Sequence, residues 1–223
     1  MRAEEIMSIL DKFYGERVWQ SRNGPLTELI QTVLAQHTSD LNALRSFGRL
    51  MEHFGSWEAI ARAEITEIAD VIREGGLARQ KAPRIKGVLN MILEKRGDFD
   101  LTFLAAMTSE EALKWLMALP GVGPKTARCV LLFSLGMPVI PVDTHVHRVS
   151  RRLGLIGAKT TAEAAHGILE AMVEPKDAYR LHLHLIEHGR RICKAPRPRC
   201  PICPLAPGCP SSTVIVSGVP SSA

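Results

Sequence analysis

The chain has 223 residues, 46% of them hydrophobic, which is ample for a packed core in one large domain or two small ones. No apolar run approaches the roughly 20 residues needed to cross a bilayer. The charged start Met1-Arg-Ala-Glu-Glu lacks the apolar stretch of a signal peptide, so the expectation is a soluble, intracellular chain, cytoplasmic and near the nucleoid in a bacterium or archaeon. The net charge of +5 is uneven: residues 1–74 hold eight Lys and Arg against twelve Asp and Glu, and the remainder holds twenty against eleven. A basic C-terminal two-thirds suits a polyanionic partner, though a solvated basic face explains the charge equally well.

The pattern predicts an all-α protein. There is no sustained period-2 alternation, and helical spacing recurs throughout. Ile6, Leu10, Phe13 and Tyr14 mark a first helix ending near Gly15. Leu26, Leu29, Ile30, Val33 and Leu34 mark a second. Leu41, Leu44, Phe47 and Met51 mark a third, entered through Ser39 and Asp40. A short helix follows Ser56, another follows Thr66 and stops at Gly75-Gly76, and a further one covers about 80–94. Thr108-Ser-Glu-Glu111 and Thr160-Thr-Ala-Glu163 both read as capping boxes. Gly136 and Gly189 are expected to close helices. Pro138 and Pro141 frame an extended linker. Pro196, Pro198, Pro201, Pro204 and Pro207 keep residues 193–209 from forming a continuous helix. Residues 213–223 read as a flexible tail.

Leu119-Pro120-Gly121-Val122-Gly123 joins a helix over 110–118 to one over 125–135 and forms a helical hairpin. Its glycines permit positive φ and bare the backbone. The first N–H groups of the second helix have no internal partner, so Gly121, Val122 and Gly123 make an anion site that fits a phosphodiester. Lys125 follows at once. A lysine attacks only as the neutral amine, and its reference pKa of ~10.4 must fall about three units, roughly 4 kcal/mol. A helix N-terminus supplies only ~0.3–1 kcal/mol, so burial or neighbouring cations such as Arg128 must supply the rest. Without them Lys125 is a cation for phosphate. Asp143, at the start of the helix after the proline-framed linker, is by itself an N-cap. A fixed carboxylate there can also stabilise oxocarbenium charge or manage an amine's protons.

The chain holds five cysteines. Cys193, Cys200, Cys203 and Cys209 have the spacing C-x6-C-x2-C-x5-C, and four thiolates accept either zinc or an iron–sulfur cluster. In an intracellular chain this clustering favours metal over disulfides. Arg190, Arg191, Lys194, Arg197 and Arg199 flank them with no acid between Gly189 and Cys209. Cys129 reads as a small core residue.

The hairpin with its lysine, the aspartate and the cysteine spacing, in this order from about Leu26 to Cys209, resemble the helix-hairpin-helix DNA glycosylase superfamily in its endonuclease III branch. The resemblance implies a bifunctional DNA glycosylase and AP lyase that removes oxidised pyrimidines from duplex DNA. It implies Lys125 as the Schiff-base nucleophile, Asp143 as the catalytic aspartate and a 4Fe–4S cluster on Cys193, Cys200, Cys203 and Cys209. Gln36 matches the glutamine that fills the gap left by a flipped nucleotide, and Leu77 a wedge on the opposite side. Arg148, Arg191 and Lys194 join the hairpin as expected DNA contacts. The partner is double-stranded DNA with a damaged base or abasic site, bound by a monomer. The implied architecture is one helical lobe over 23–136 and a second formed by 1–22 with 137–212, the DNA lying between them. Pro124, His37 and His147 depart from the usual family residues and leave the damaged base open. The alternatives are a monofunctional adenine or thymine mismatch glycosylase, or a noncatalytic DNA-binding module with a structural metal.

Overall fold

A computed structural model describes residues 1–214. Among them there are eleven α-helices, short 3₁₀ turns and no strand. The helices are α1 (Ala3–Tyr14), α2 (Pro25–Ala35), α3 (Asp40–Phe54), α4 (Trp57–Arg62), α5 (Ile65–Val71), α6 (Ala78–Arg96), α7 (Ser109–Met117), α8 (Pro124–Leu135), α9 (Thr144–Arg152), α10 (Ala162–Glu170) and α11 (Ala178–Arg191). The chain divides into two compact units, one spanning Gln20–Met137 and the other joining Met1–Trp19 to the chain from Pro138 onward. The tail expected past Ser212 lies, from residue 215, outside the described residues.

Local chemistry starts and stops these helices. Ser39 accepts from Asn42 N–H at the head of α3, and Ser56 from Ala59 N–H at the head of α4. The box at Thr108 is complete, with Glu111 N–H on the Thr108 hydroxyl and Thr108 N–H on the Glu111 carboxylate. The second expected box does not form, and the N-cap stands one residue later, where the third helical residue is Ala164 rather than Glu163. Thr161 is the N-cap and accepts from Ala164 N–H, because the Thr160 carbonyl is taken by the His147 ring at 2.8 Å. Gly136 closes α8 in the left-handed conformation as expected. Gly189 does not close a helix. It lies inside α11, where a Cβ would stand 2.9 Å from His145 Cβ and 3.1 Å from Val149 Cγ2. The missing side chain lets α9 press against α11.

In the 20–137 unit, α8 is central and packs on α2 and α7, which is why Ala127 and the run from Cys129 to Ser134 are all buried. Cys129 is the core residue its neighbours suggested. α6 carries an unusual tie: Lys81, only 1% exposed, donates to the Leu34 carbonyl at 2.6 Å and the Gly75 carbonyl at 2.9 Å. The first of these carbonyls belongs to the last turn of α2, where helix carbonyls lack internal partners.

In the other unit, α11 packs on α9 and α1. Asp11 of α1 takes the Arg180 guanidinium and the His184 ring of α11. The linker before Asp143 is held by α10: Ile140 N–H donates to Glu170 at 2.9 Å, and His166 donates to the Ile140 carbonyl at 2.8 Å.

Burial pushes the Lys81 ammonium below its ordinary 10.5. Over the interval between the lowered and the ordinary value, the unfolded chain holds a proton that the folded chain has released. Lys81 therefore adds stability as pH rises through that interval. Lys81→Met strands two carbonyls at about 1–3 kcal/mol each. Its deficit in urea unfolding is expected to grow as pH rises toward 10.5; a deficit that shrinks contradicts this assignment.

Candidate active site

In the 20–137 unit the site is built on the turn between α7 and α8. Val122 is buried and pins the turn to the core. Gly121 has φ +74°, a conformation that disfavours a side chain. Gly123 does not: it is extended at φ −97° and serves as the N-cap of α8. Having no side chain it caps nothing, and Pro124 brings no N–H, so the first backbone donors of α8 gain no side-chain cap. Of the hairpin donors expected from the sequence, the Val122 N–H is taken by the Leu119 carbonyl at 3.2 Å, and Gly123 contributes bareness rather than positive φ. Lys125 is exposed. The chain itself does not supply the burial that an amine nucleophile requires.

α6 braces this turn. A Cβ on Gly87 would lie 3.1 Å from Pro120, and one on Gly121 would lie 2.9 Å from Arg84 Cδ. Gln36 is the C-cap of α2 and half-buried, its amide oxygen accepting from Arg84 Nη1 at 2.9 Å. Leu77 precedes α6 with φ 52° and ψ 31° and is 43% exposed. A leucine held in the left-handed region costs of order 1–3 kcal/mol. Spending that on an exposed apolar side chain is difficult to explain by packing. His37 is likewise left-handed, at φ 55°.

In the other unit, Asp143 is half-buried and caps α9: Oδ1 accepts from Val146 N–H at 2.7 Å. Lys125 and Asp143 belong to different units. Arg148 is heavily engaged by its own unit, donating to the carbonyls of Cys193 (3.0 Å), Gly189 (2.9 Å) and Thr144 (3.3 Å). Arg191 is exposed, pairs with Glu187 at 2.7 Å and lies over the Tyr14 ring. Lys194 is exposed, and its carbonyl accepts from Arg152 at 2.7 Å.

Cys193, Cys200, Cys203 and Cys209 line one open cavity, together with Val149, Leu153 and Ile192. Among the described residues, no three His, Cys, Asp or Glu side chains close around a point where a single ion would sit. Arg152 Nη1 donates to Cys193 Sγ at 3.4 Å. Cys203 Sγ meets His188 Nε2 at 3.4 Å, and the other ring nitrogen of His188 meets the Tyr14 hydroxyl at 3.0 Å. Burial pushes the His188 ring down to about 4 and the Tyr14 hydroxyl up to about 12. It raises the Cys203 and Cys209 thiols as well, while hydrogen bonding with Thr213 lowers Cys200. Four soft donors, a nearby guanidinium and a cavity suit a group held by four thiolates.

Sequence reasoning did not identify Arg84, Lys81, Arg152 or His188. Each acts through a contact at least six residues away in the chain, and none stands in a local motif.

Residues 30–175 match the HhH-GPD superfamily base excision DNA repair protein family. The chain belongs to that superfamily. The endonuclease III of Thermotoga maritima is 36% identical over 186 residues, spanning 83% of this chain and 82% of that protein. The endonuclease III of a Synechocystis strain is 33% identical over 95% of this chain and 93% of its own. Among solved structures, a non-covalent endonuclease III–DNA complex aligns with a TM-score of 0.81 at 29% identity, covering 95% of this chain and 97% of that one. A trapped endonuclease III–DNA covalent intermediate aligns at 0.79 with 30% identity.

Because an amide oxygen caps as well as a carboxylate, Asp143→Asn is expected to keep the stability of α9, whereas Asp143→Ala loses about 1 kcal/mol. Equal losses in urea unfolding would show that the cap is not what holds Asp143.

Proposed function

We propose that the protein is a base excision repair enzyme, a bifunctional DNA glycosylase and AP lyase that removes oxidised pyrimidines from duplex DNA. The observation that carries this reading is an exposed Lys125 at the uncapped head of α8, in a chain similar in fold to a trapped endonuclease III–DNA covalent intermediate. The bare turn at Gly121 and Gly123 and the uncapped head of α8 seat a backbone phosphate, while the Val122 N–H is held by the Leu119 carbonyl. Gln36 fills the space left by the flipped nucleotide and Leu77 wedges the opposite side, and Arg191 and Lys194 meet flanking phosphates.

In this reading the neutral Lys125 amine forms a bond to C1′ while the bond from C1′ to the base breaks. The base leaves with the electron pair and takes up a proton. Asp143 stabilises the positive charge at the sugar through its uncapped oxygen and accepts protons from the attacking nitrogen. The C1′–O4′ bond then breaks, O4′ leaving with the electron pair and taking up a proton, which opens the sugar ring to the protonated imine. Removal of a C2′ proton then expels the 3′ oxygen and nicks the strand. The α8 dipole contributes only ~0.3–1 kcal/mol toward a neutral amine. With Lys125 exposed in the free protein, most of the desolvation falls to the bound duplex.

The cysteine cavity supports a 4Fe–4S cluster on Cys193, Cys200, Cys203 and Cys209. Such a group shapes the basic loop and supplies no step of the base chemistry. Four thiolates accept either metal centre, and the similarity to endonuclease III over most of the chain favours a cluster over a single zinc ion.

Borohydride reduction on duplexes that each carry one lesion tests the lysine. Wild type is expected to become covalently linked to DNA containing an oxidised pyrimidine and Lys125→Gln not to; equal trapping removes Lys125 from the role. Base release without nicking by the wild type would indicate a monofunctional mismatch glycosylase instead. Asp143→Asn, folded as wild type, is expected to lose at least about a hundredfold in base release. Purified protein is expected to be brown and to hold iron and acid-labile sulfide in equal amounts, and colourless protein with zinc would overturn the cofactor.

A further inference from the structure

Arg84 lies on α6 one turn beyond Lys81 and is half-buried. Its stem runs along the hairpin, where a Cβ on Gly121 would stand 2.9 Å from Cδ, 3.2 Å from Cγ and 3.4 Å from Nε. Its guanidinium then reaches the end of α2, Nη1 donating to Gln36 Oε1 at 2.9 Å. One side chain thus touches both the turn that seats phosphate and the amide assigned to the gap in the duplex. The bare Cα of Gly121 is what makes room for it.

We propose that Arg84 is a positioning residue that holds the Gln36 amide in one orientation from a fixed point on the hairpin. This rests on Gln36 entering the gap, as in the reading above. A guanidinium only donates, so the amide must turn its oxygen to Arg84 and its NH2 away. Gln36 therefore meets the estranged base with donors, and it recognises an acceptor on that base's pairing edge. The Gln36 backbone is steadied separately: its own N–H donates to the Val33 carbonyl at 3.3 Å, and Lys81 holds the Leu34 carbonyl. Releasing Arg84 leaves the loop in place and frees only the amide, which can then present either end.

The test is single-turnover base release from a duplex with an oxidised pyrimidine opposite 2-aminopurine, whose fluorescence reports the estranged base. Wild type is compared with Arg84→Met, Arg84→Lys, Gln36→Ala and the Gln36→Ala/Arg84→Met double variant. Arg84→Met is expected to lower the saturated rate about tenfold and change the 2-aminopurine signal, while the urea midpoint and the salt dependence of binding stay unchanged. In the Gln36→Ala background Arg84→Met is expected to add nothing. Arg84→Lys, with charge but no planar fork, is expected to recover part of the rate. The same tenfold loss without Gln36, or a salt slope smaller by about one, would make Arg84 a phosphate contact and overturn the proposal. An active wild type alongside an indifferent Arg84→Met overturns it too. A wild type that neither releases base nor traps overturns the activity, and Arg84's role with it.

Discussion

The 20–137 unit is organised around one buried cation. Lys81 is enclosed by protein, yet its hydrogen bonds run to two backbone carbonyls rather than to a carboxylate. Helix ends explain how this is tolerated. The Leu34 carbonyl belongs to the negative end of α2, and the Gly75 carbonyl to the turn that leads into α6. Taking an ammonium out of water is costly, and those dipoles offset the cost only while the three elements stay where they are. The carbonyls lie two residues before Gln36 and two before Leu77. The buried charge thus fixes the two loops that carry the side chains assigned to the DNA gap.

The other unit uses the same device with different groups. α9 begins with Asp143, and two of its arginines, Arg148 and Arg152, reach the loop that carries Cys193. Arg148 gives most of its donors to carbonyls, and Arg152 divides its own between a thiol and the carbonyls of Lys194 and Ala195. The helix that presents the aspartate and the loop that presents the thiols are therefore one mechanical piece. Arginine suits this task because its planar fork satisfies several acceptors at once.

Much of this was legible from the sequence because the signals are local. A capping serine, a Pro-Gly hairpin and four spaced cysteines declare themselves within a few residues, and α3, α4, α7 and the hairpin stand where those signals place them. The failures are equally physical. Gly189 looked like a helix end because glycine commonly is one, but here α9 needs the space. Thr160 looked like a cap because Glu163 completes its box, but the His147 ring takes the Thr160 carbonyl and Thr161 caps instead. For Arg148 the charge is visible in a sequence, while the carbonyl acceptors it also holds are not. Lys81 reads as one surface lysine among many until the fold closes over it. The superfamily's signature marks the lysine and the aspartate, but not the side chains that hold their neighbours in place.

Leu77 shows where two selective pressures part. Its backbone sits in a region where glycine rests without strain, so folding alone would favour losing the side chain. A library of variants ranked by heat resistance would drift toward glycine at this position and count the change as an improvement. Under the proposed wedge role, the same library ranked by base excision would retain the leucine. Thermal ranking is therefore a poor guide to tolerance around this loop, and the residues it marks as unfavourable are the first to consider for a role in recognition.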